Sequence, residues 1–376
     1  MMVQKIGCFG SILVVFSMLL SVQAYSIEVN AKGAVLMDAQ SGRVLFAQNE
    51  RERMPMASTT KIMSALLTLE QENLDEYFTV DADAIRVEGS SMGLVPDDSV
   101  TLRVLAAGML LASGNDAANA AAVHIAGSRQ LFVEMMNKRA EELGMEGTSF
   151  ETPSGLDGDE HYSTAYDMAL LAQAALKNEA FAEICSQYRM TLEYGNPPFK
   201  RWMRNHNRLL DDYKGAIGVK TGFTKKAGRC LVSAAERDGV TLIAVTLGCP
   251  DDWRMHTKML DYGFEQLKST DLSALLPPLE IAVGGGVSSS VGLAPQGGLT
   301  AALAEGEQVR VQAKIGMNRF VLAPVKKGAA VGEVVLTLDG RELRRIPLCA
   351  TEDVAARPVA EKQKGLLERI KNFFQR

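Results

Sequence analysis

The stretch Pro55-Met56-Ala57-Ser58-Thr59-Thr60-Lys61-Ile62-Met63-Ser64-Ala65-Leu66 decides how the rest of the chain is read. Ile62, Ala65, Leu66 and Leu69 recur at i, i+3, i+4 and i+7, the spacing of one buried helical face, and Pro55 stands just ahead of it. Ser58 therefore opens a predicted amphipathic helix. Lys61 comes one turn later on the same face, where its amine can come within a hydrogen bond of the Ser58 hydroxyl. A serine hydroxyl is a weak nucleophile at neutral pH and needs a base, and a lysine can be that base only when burial or a nearby cation keeps it neutral. Taken alone, Ser58 also reads as a helix N-cap. Ser-x-x-Lys recurs by chance in a chain of 376 residues, so the pair gains meaning only from the motifs further along the chain.

There are two of these, in a fixed order. Ser113-Gly114-Asn115 comes after the apolar run Val104–Ala112, and Lys220-Thr221-Gly222 lies within Gly218–Cys230. Each has a bland local reading: the first as a glycine turn between two helices, the second as an exposed strand end. Together with Ser58 and Lys61, in this order, they form the signature of the active-site serine enzymes that react with penicillins. Lys220 is the candidate cation that holds Lys61 neutral. The N–H of Ser58 at the helix start and that of Phe223 on the strand would be two donors of an oxyanion hole. Gly222 would let substrate backbone lie close to the strand.

On these motifs the chain resembles the D-alanyl-D-alanine carboxypeptidases, low-molecular-mass penicillin-binding proteins of peptidase family S11. The lead-in from Gly33 to Glu70, the segment FETPSGLDGDEHYSTAYDMALLA from Phe150 to Ala172, and the run RNHNRLL from Arg204 to Leu210 resemble the family as well. The resemblance implies Ser58 as the acyl-accepting nucleophile, Lys61 as its general base and Ser113 as a proton shuttle to the leaving amine. It implies that Asn115 binds the substrate's peptide backbone, and that Lys220 and Thr221 meet the free carboxylate of the terminal D-alanine. Gly222 would line the strand on which substrate docks.

The remainder of the chain suits an exported protein. Lys5 precedes the uncharged run Ile6–Ala24, which ends in the small-residue pattern Val22-Gln23-Ala24, so residues 1–24 read as a signal peptide; an uncleaved membrane anchor is the other reading. Cys185, Cys230, Cys249 and Cys349 remain after it, without metal spacing. Buried free thiols are expected, with a Cys230–Cys249 disulfide left open because the run between them reads as two strands around an Asp238-Gly239 turn. His124, His161, His206 and His256 are scattered, and neither a metal nor a cofactor is expected. A net charge of −5 without a basic cluster gives no reason to expect nucleic acid.

The predicted fold class is α+β. Residues 25–272 read as a serine D,D-peptidase domain of β-lactamase/transpeptidase type, an antiparallel sheet with a helical subdomain between its halves. Thr164 and Asp167 form a capping-box-like pair at the head of one of its helices. Residues 277–352 read as a small β-sandwich-like domain, with Val309, Val311, Ala313 and Ile315 on one strand face and a turn at Asp339-Gly340. Residues 360–376 place Leu366, Leu367, Ile370, Phe373 and Phe374 on one helical stripe, with five basic residues against two acidic ones from Glu361 onward. Such a tail reads as a membrane-surface anchor, a helix docked on the protein's own body being the alternative.

The sequence thus points to a serine-type D-Ala-D-Ala carboxypeptidase acting on peptidoglycan pentapeptide stems at the outer face of a bacterial cytoplasmic membrane, with β-lactam antibiotics as covalent inhibitors. A β-lactamase and a catalytically idle peptidoglycan-binding scaffold are the alternatives. Against the first, Glu151, Asp157, Asp159 and Glu160 do not form the Glu-x-x-x-Asn arrangement of a dedicated deacylating base.

Overall fold

A computed structural model describes residues 27–358. The chain opens with the hairpin β1 (Gly33–Asp38) and β2 (Val44–Gln48), then passes through a 3-10 turn at Ala57–Thr60 into α1 (Lys61–Leu69). Two short strands, β3 (Phe78–Thr79) and β4 (Ser99–Val100), precede helices α2 (Leu102–Leu111), α3 (Asn115–Ala126), α4 (Arg129–Glu142), α5 (Ala165–Ala175) and α6 (Glu179–Cys185). A hairpin of β5 (Arg189–Gly195) and β6 (Pro198–Arg204) and the single turn α7 (Leu209–Asp212) lead into β7 (Ala216–Thr224), β8 (Gly228–Arg237), β9 (Val240–Leu247) and α8 (Asp252–Gln266).

The principal sheet has the antiparallel order β2-β1-β9-β8-β7, so the first and last strands of this region meet and the helices lie between them in sequence. Both faces of that sheet are covered. Val35 and Met37 face the helical core with Val232, Ile243 and Val245, whereas Ala34 and Leu36 face α8 with Leu242 and Met259. Every residue of β1 is buried as a result, and its sequence GAVLMD is apolar up to the final Asp38 rather than alternating. The Asp238-Gly239 turn joins β8 to β9 with both residues at positive φ, as a two-residue hairpin requires.

Cys230 belongs to the core on one face of the sheet and Cys249 to the core on the other. Both thiols are free, as are those of Cys185 and Cys349, which closes the disulfide left open by the sequence. The Thr164 hydroxyl caps α5 by accepting from the Asp167 N–H, but the Asp167 carboxylate accepts from Gly147 N–H and the Thr148 hydroxyl instead of reaching back. The pair is half of a capping box.

Beyond α8, β10 (Lys268–Asp271) begins the connection to an all-β unit built from β11 (Leu279–Gly284), β12 (Ser290–Pro295), β13 (Thr300–Leu303), β14 (Val311–Met317), β15 (Phe320–Leu322), β16 (Ala330–Leu338) and β17 (Arg341–Ala350). β10 pairs with β13, and six strands run in the order β14-β16-β17-β12-β11-β15 around a core of Ile281, Val291, Val334, Leu336, Ile346 and Leu348. The Asp339-Gly340 turn is present between β16 and β17. The alternation expected from Val309 holds only in part: Val311 and Ala313 pack on the core, whereas Val309 and Ile315 are exposed. Glu307–Arg310 forms a 3-10 turn because the Glu307 carboxylate folds back onto Ala304 N–H and pairs with Arg43 of the larger unit. Val309 is thereby left exposed, and the strand starts at Val311. The tail from residue 360 and the leader 1–24 lie outside the described residues.

Candidate active site

Ser58 stands on the 3-10 turn that precedes α1, not on the first turn of the helix, and no side chain caps either element. The reason is local. Ala57 takes a left-handed φ of 51°, and the hydroxyls of Thr59 and Thr60 donate to the carbonyls of Met56 (2.6 Å) and Ala57 (2.8 Å), which tightens the backbone ahead of the helix. A non-glycine residue in that region is strained and persists only where its surroundings hold it. Here the surroundings are His161 and Gly155. His161 Nδ1 accepts from the Glu151 N–H at 2.9 Å, so Nε2 carries the ring proton and donates to Thr60 Oγ1 at 2.8 Å. Burial, aided by Lys226 and Lys61, pushes the His161 pKa down to about 4 and keeps the ring neutral.

Lys61 lies under Ser58, wholly buried. Its Nζ is 3.0 Å from Ser58 Oγ, 2.6 Å from Asn115 Oδ1 and 2.5 Å from the Ser154 carbonyl. Two of these neighbours can only accept, so a neutral amine would spend both its protons on them and turn its lone pair to the Ser58 hydroxyl. Burial lowers the Lys61 pKa well below the usual lysine range, Lys220 lowers it further, and Asp116 opposes both. The expectation of a hydrogen-bonded Ser58–Lys61 pair is met by this geometry.

The second motif arrives through a sharp break between α2 and α3. Ser113, not Gly114, takes the left-handed conformation (φ 57°), whereas Gly114 has φ −58° and stands at the N-cap of α3. Glycine is needed there for space: a Cβ would stand 2.7 Å from Asp116 Oδ1 and 3.1 Å from Met92 N. Asn115 is only 3% exposed; its Oδ1 accepts from Lys61 and its Nδ2 donates to the Glu88 carbonyl at 2.6 Å. One amide proton is left for a substrate. Asn115 thus supports Lys61 through its oxygen and can still meet a substrate's peptide backbone through that proton.

The third motif occupies β7, the edge strand of the principal sheet, whose outer side is open for pairing. Lys220 is buried and donates to its neighbour's carbonyl, Thr221 O, at 2.8 Å; desolvation brings its pKa down to about 7. Gly222, expected to let substrate approach the strand, has a packing role as well. A Cβ on it would lie 3.0 Å from Ser58 N, 3.0 Å from Thr59 N and 3.1 Å from Met56 O, so its smallness lets β7 press against the turn that carries Ser58. Phe223 comes next on the strand with its ring exposed.

Ser58, Ser113, Thr221, Gly222 and Phe223 line one cleft of about 620 Å³. Its other walls are Ser90, Arg204, Asn205, His206, Arg208, Arg229, Asp252 and Trp253, none of which the motifs point to. Arg229 is paired with Asp252 at 2.9 Å and Arg208 with Asp212 at 2.6 Å; Arg204 has no carboxylate partner among the described residues, so the balance of charge in the cleft is positive and suits an anionic ligand. The run Arg204–Leu210 is the one signal of this wall in the sequence: Asn207 in it donates to the Gly218 carbonyl at 2.8 Å and fastens the wall to β7.

A family model described as D-alanyl-D-alanine carboxypeptidase matches residues 20–251, and one described as penicillin-binding protein 5, C-terminal domain, matches residues 276–356. The chain is similar to D-alanyl-D-alanine carboxypeptidase DacF of Bacillus subtilis, with 37% identity covering 86% of each chain. It is 33% identical to D-alanyl-D-alanine carboxypeptidase DacC of Escherichia coli, over 87% of this chain and 85% of that one. The structure is similar to that of penicillin binding protein 5 from Haemophilus influenzae, with a TM-score of 0.63 and 32% identity over 88% of this chain and 99% of the other.

Proposed function

Because this chain belongs to peptidase family S11 and is a serine-type D-alanyl-D-alanine carboxypeptidase, we propose that its motif residues share out the steps by which the terminal D-alanine is removed from peptidoglycan stem peptides. Lys61 accepts the Ser58 proton as Oγ attacks the carbonyl carbon of the penultimate D-alanine. The oxyanion is stabilised by the N–H groups of Ser58 and Phe223. The C–N bond then breaks, the proton passes by way of Lys61 and Ser113 to the departing amine, and D-alanine leaves an ester on Ser58. Water attacks that ester with Lys61 again accepting a proton, which returns Ser58 to its hydroxyl form. Lys220 and Thr221 receive the substrate's terminal carboxylate, within the cationic field of Arg204, Arg208 and Arg229.

The observation that carries this reading is the set of contacts at Lys61 Nζ, where two carbonyl oxygens flank the amine and the third neighbour is the nucleophile. Membership of the family also makes the chain penicillin-binding. A β-lactam would acylate Ser58, and its adduct would persist because the leaving group stays tethered in the cleft; Glu151, Asp157, Asp159 and Glu160 do not line that cleft, and Asp252, which does, is paired with Arg229. None is thereby placed as a free base for deacylating water, which disfavours a β-lactamase. Export by cleavage after Ala24 and peripheral attachment through residues 360–376 complete the proposal, with the β unit as a spacer between membrane and cleft.

The test is release of free D-alanine from a pentapeptide ending in D-Ala-D-Ala, alongside intact-mass mapping of a penicillin adduct. Ser58→Ala should lose both activity and adduct, and Lys61→Arg should remain folded without acylating, because a guanidinium cannot act as a base at neutral pH. Amidation of the terminal carboxylate should slow the peptide severely. Near-normal acylation by Lys61→Arg refutes the assignment of the base, and equal cleavage of acid and amide refutes that of Lys220 and Thr221.

A further inference from the structure

The end of the β unit where the described chain stops carries an apolar surface that its own core does not use. β15 is a three-residue edge strand paired in parallel with β11, Ala282 against Phe320 and Gly284 against Leu322. Val321 packs toward the core, whereas Phe320 and Leu322 face outward, 58% and 70% exposed. The turn after β11 extends this surface: Val287 is 59% exposed and its N–H is bonded to the Ala355 carbonyl. Ile315 and Met317 on β14, joined to β15 through Asn318 and Arg319, are exposed as well.

The last described residues are tied to the same place. Gly286 bridges to Ala356, the Arg357 N–H donates to Gly285 O, and the Arg357 guanidinium donates to Gly286 O at 2.5 Å. The described chain therefore ends beside the turn that carries Val287. Exposed basic groups, Lys314, Arg319 and Arg357, rim the apolar residues. Of the nearby carboxylates, Glu333 is paired with Arg345; Glu280 accepts from the Ser290 hydroxyl and Asp353 from the Lys327 N–H, and the charges of Asp353 and Glu352 are matched by the exposed Lys326 and Lys327.

We propose that this end of the β unit is a second membrane contact, in which Val287, Phe320 and Leu322 enter the interfacial layer of an anionic bilayer while Arg319 and Arg357 meet its phosphates. The inference rests on the reading of residues 360–376 as a membrane-surface segment and extends it to the folded body. Charge selects the bilayer over the tail as the occupant. The tail carries five basic residues against two acidic ones, so it is repelled by the basic rim, whereas both are drawn to the same anionic surface. A contact at two adjacent points fixes the orientation of the β unit on the membrane, which a single amphipathic segment on a linker cannot do.

The test uses the chain from Tyr25 to Arg376 with vesicles of phosphatidylcholine containing phosphatidylglycerol, read by co-sedimentation. Phe320→Ser combined with Leu322→Ser should weaken binding by about tenfold while D-alanine release stays at the parent rate. Separate substitution of Leu367 and Phe374 by Ser reports on the tail. If the β15 variant binds like the parent while the tail variant does not, the second contact is refuted and the tail reading survives. If the parent does not bind, both are refuted; if the β15 variant binds more tightly, the surface is a dock for the tail and the proposal fails. Phe320→Trp gives a direct readout: its added emission should be quenched by brominated lipid, and unquenched emission in the vesicle-bound protein overturns insertion.

Discussion

Replacing Gly222 by alanine tests whether the fold positions the nucleophile by pressing two backbones together. The added methyl would stand 3.0 Å from Ser58 N and Thr59 N and 3.1 Å from Met56 O, all of them backbone atoms, so no side chain can rotate away to make room. Retreat of the turn is blocked behind. Gly155, at φ +82°, lies against its other side so closely that a Cβ there would be 2.2 Å from Ala57 O. The strand and the turn must therefore separate by a few tenths of an ångström, and the displaced atom is the Ser58 N–H proposed for the oxyanion hole. Overpacking of this kind costs about 1–3 kcal/mol. In a protein of this size each kcal/mol lowers Tm by about 2–4 °C. Loss or misplacement of an oxyanion donor costs on the order of 100-fold in rate. Stopped-flow acylation by a fluorescent penicillin should thus slow about 100-fold, while the melting temperature falls only modestly. Gly316→Ala is the control, since a Cβ there meets nothing closer than 3.5 Å. Acylation of Gly222→Ala within twofold of the parent would show that the turn yields freely and that β7 does not place Ser58.

Two other predictions concern the buried lysines. Acylation should fall as pH drops through the depressed Lys61 pKa, while KM for the free-acid peptide should rise as pH climbs through about 7, where Lys220 loses its charge; a KM independent of pH from 6 to 9 would contradict the Lys220 role. Because the folded-state pKa of Lys220 lies below its unfolded value of 10.5, the folded protein binds fewer protons between about 7 and 10.5, and the destabilisation is complete below about 7 and vanishes above 10.5. Lys220→Met should accordingly raise stability by on the order of 1–4 kcal/mol at pH 6, with the gain shrinking toward pH 10 in denaturant titrations, even as activity is lost. A constant gain across that range would remove protonation from the explanation.

What the sequence disclosed was what local spacing governs. The turns at Asp238-Gly239 and Asp339-Gly340, the helix built on Leu105–Leu111 and the meeting of Ser58 with Lys61 all arise from neighbours a few residues apart. The left-handed Ala57 and Ser113 are set instead by partners more than twenty residues away, among them His161, Gly155 and the Ser90 carbonyl that accepts from the Asn115 N–H. No periodicity announces such pairings. The hairpin β5–β6 escaped notice although β5 alternates, with Met190, Leu192 and Tyr194 turned inward; its partner β6 does not, because Phe199 and Trp202 are exposed and Arg201 is half-buried, stacked over Tyr194. Arg204 stood in a recognised run but without an assigned role, and Arg229 on β8 was missed because its place in the cleft depends on pairing with Asp252 at the start of α8.

The contacts at Lys61 also bear on how one amine serves both halves of the reaction. As a neutral base it donates to Asn115 Oδ1 and the Ser154 carbonyl and receives the Ser58 proton; once protonated it keeps those two donations and gains a third donor aimed at the active centre. Neither state leaves a buried polar atom of this group without a partner, so proton transfer requires no movement of the surrounding chain. The Asn115 amide is itself held by the Glu88 carbonyl, and the Ser154 carbonyl belongs to the segment whose Gly155 backs the nucleophile's turn. Fixed dipoles of this kind lower the cost of charge appearing at the amine because nothing must reorganise when it appears. The depression of the Lys61 pKa by burial and Lys220 supplies the other half of the requirement, a proton held loosely enough to be returned to a departing D-alanine. Removing Asn115 would leave the neutral resting state with a wasted donor and the protonated state with an unpaired one, so its loss should weaken both acylation and ester hydrolysis rather than substrate binding alone.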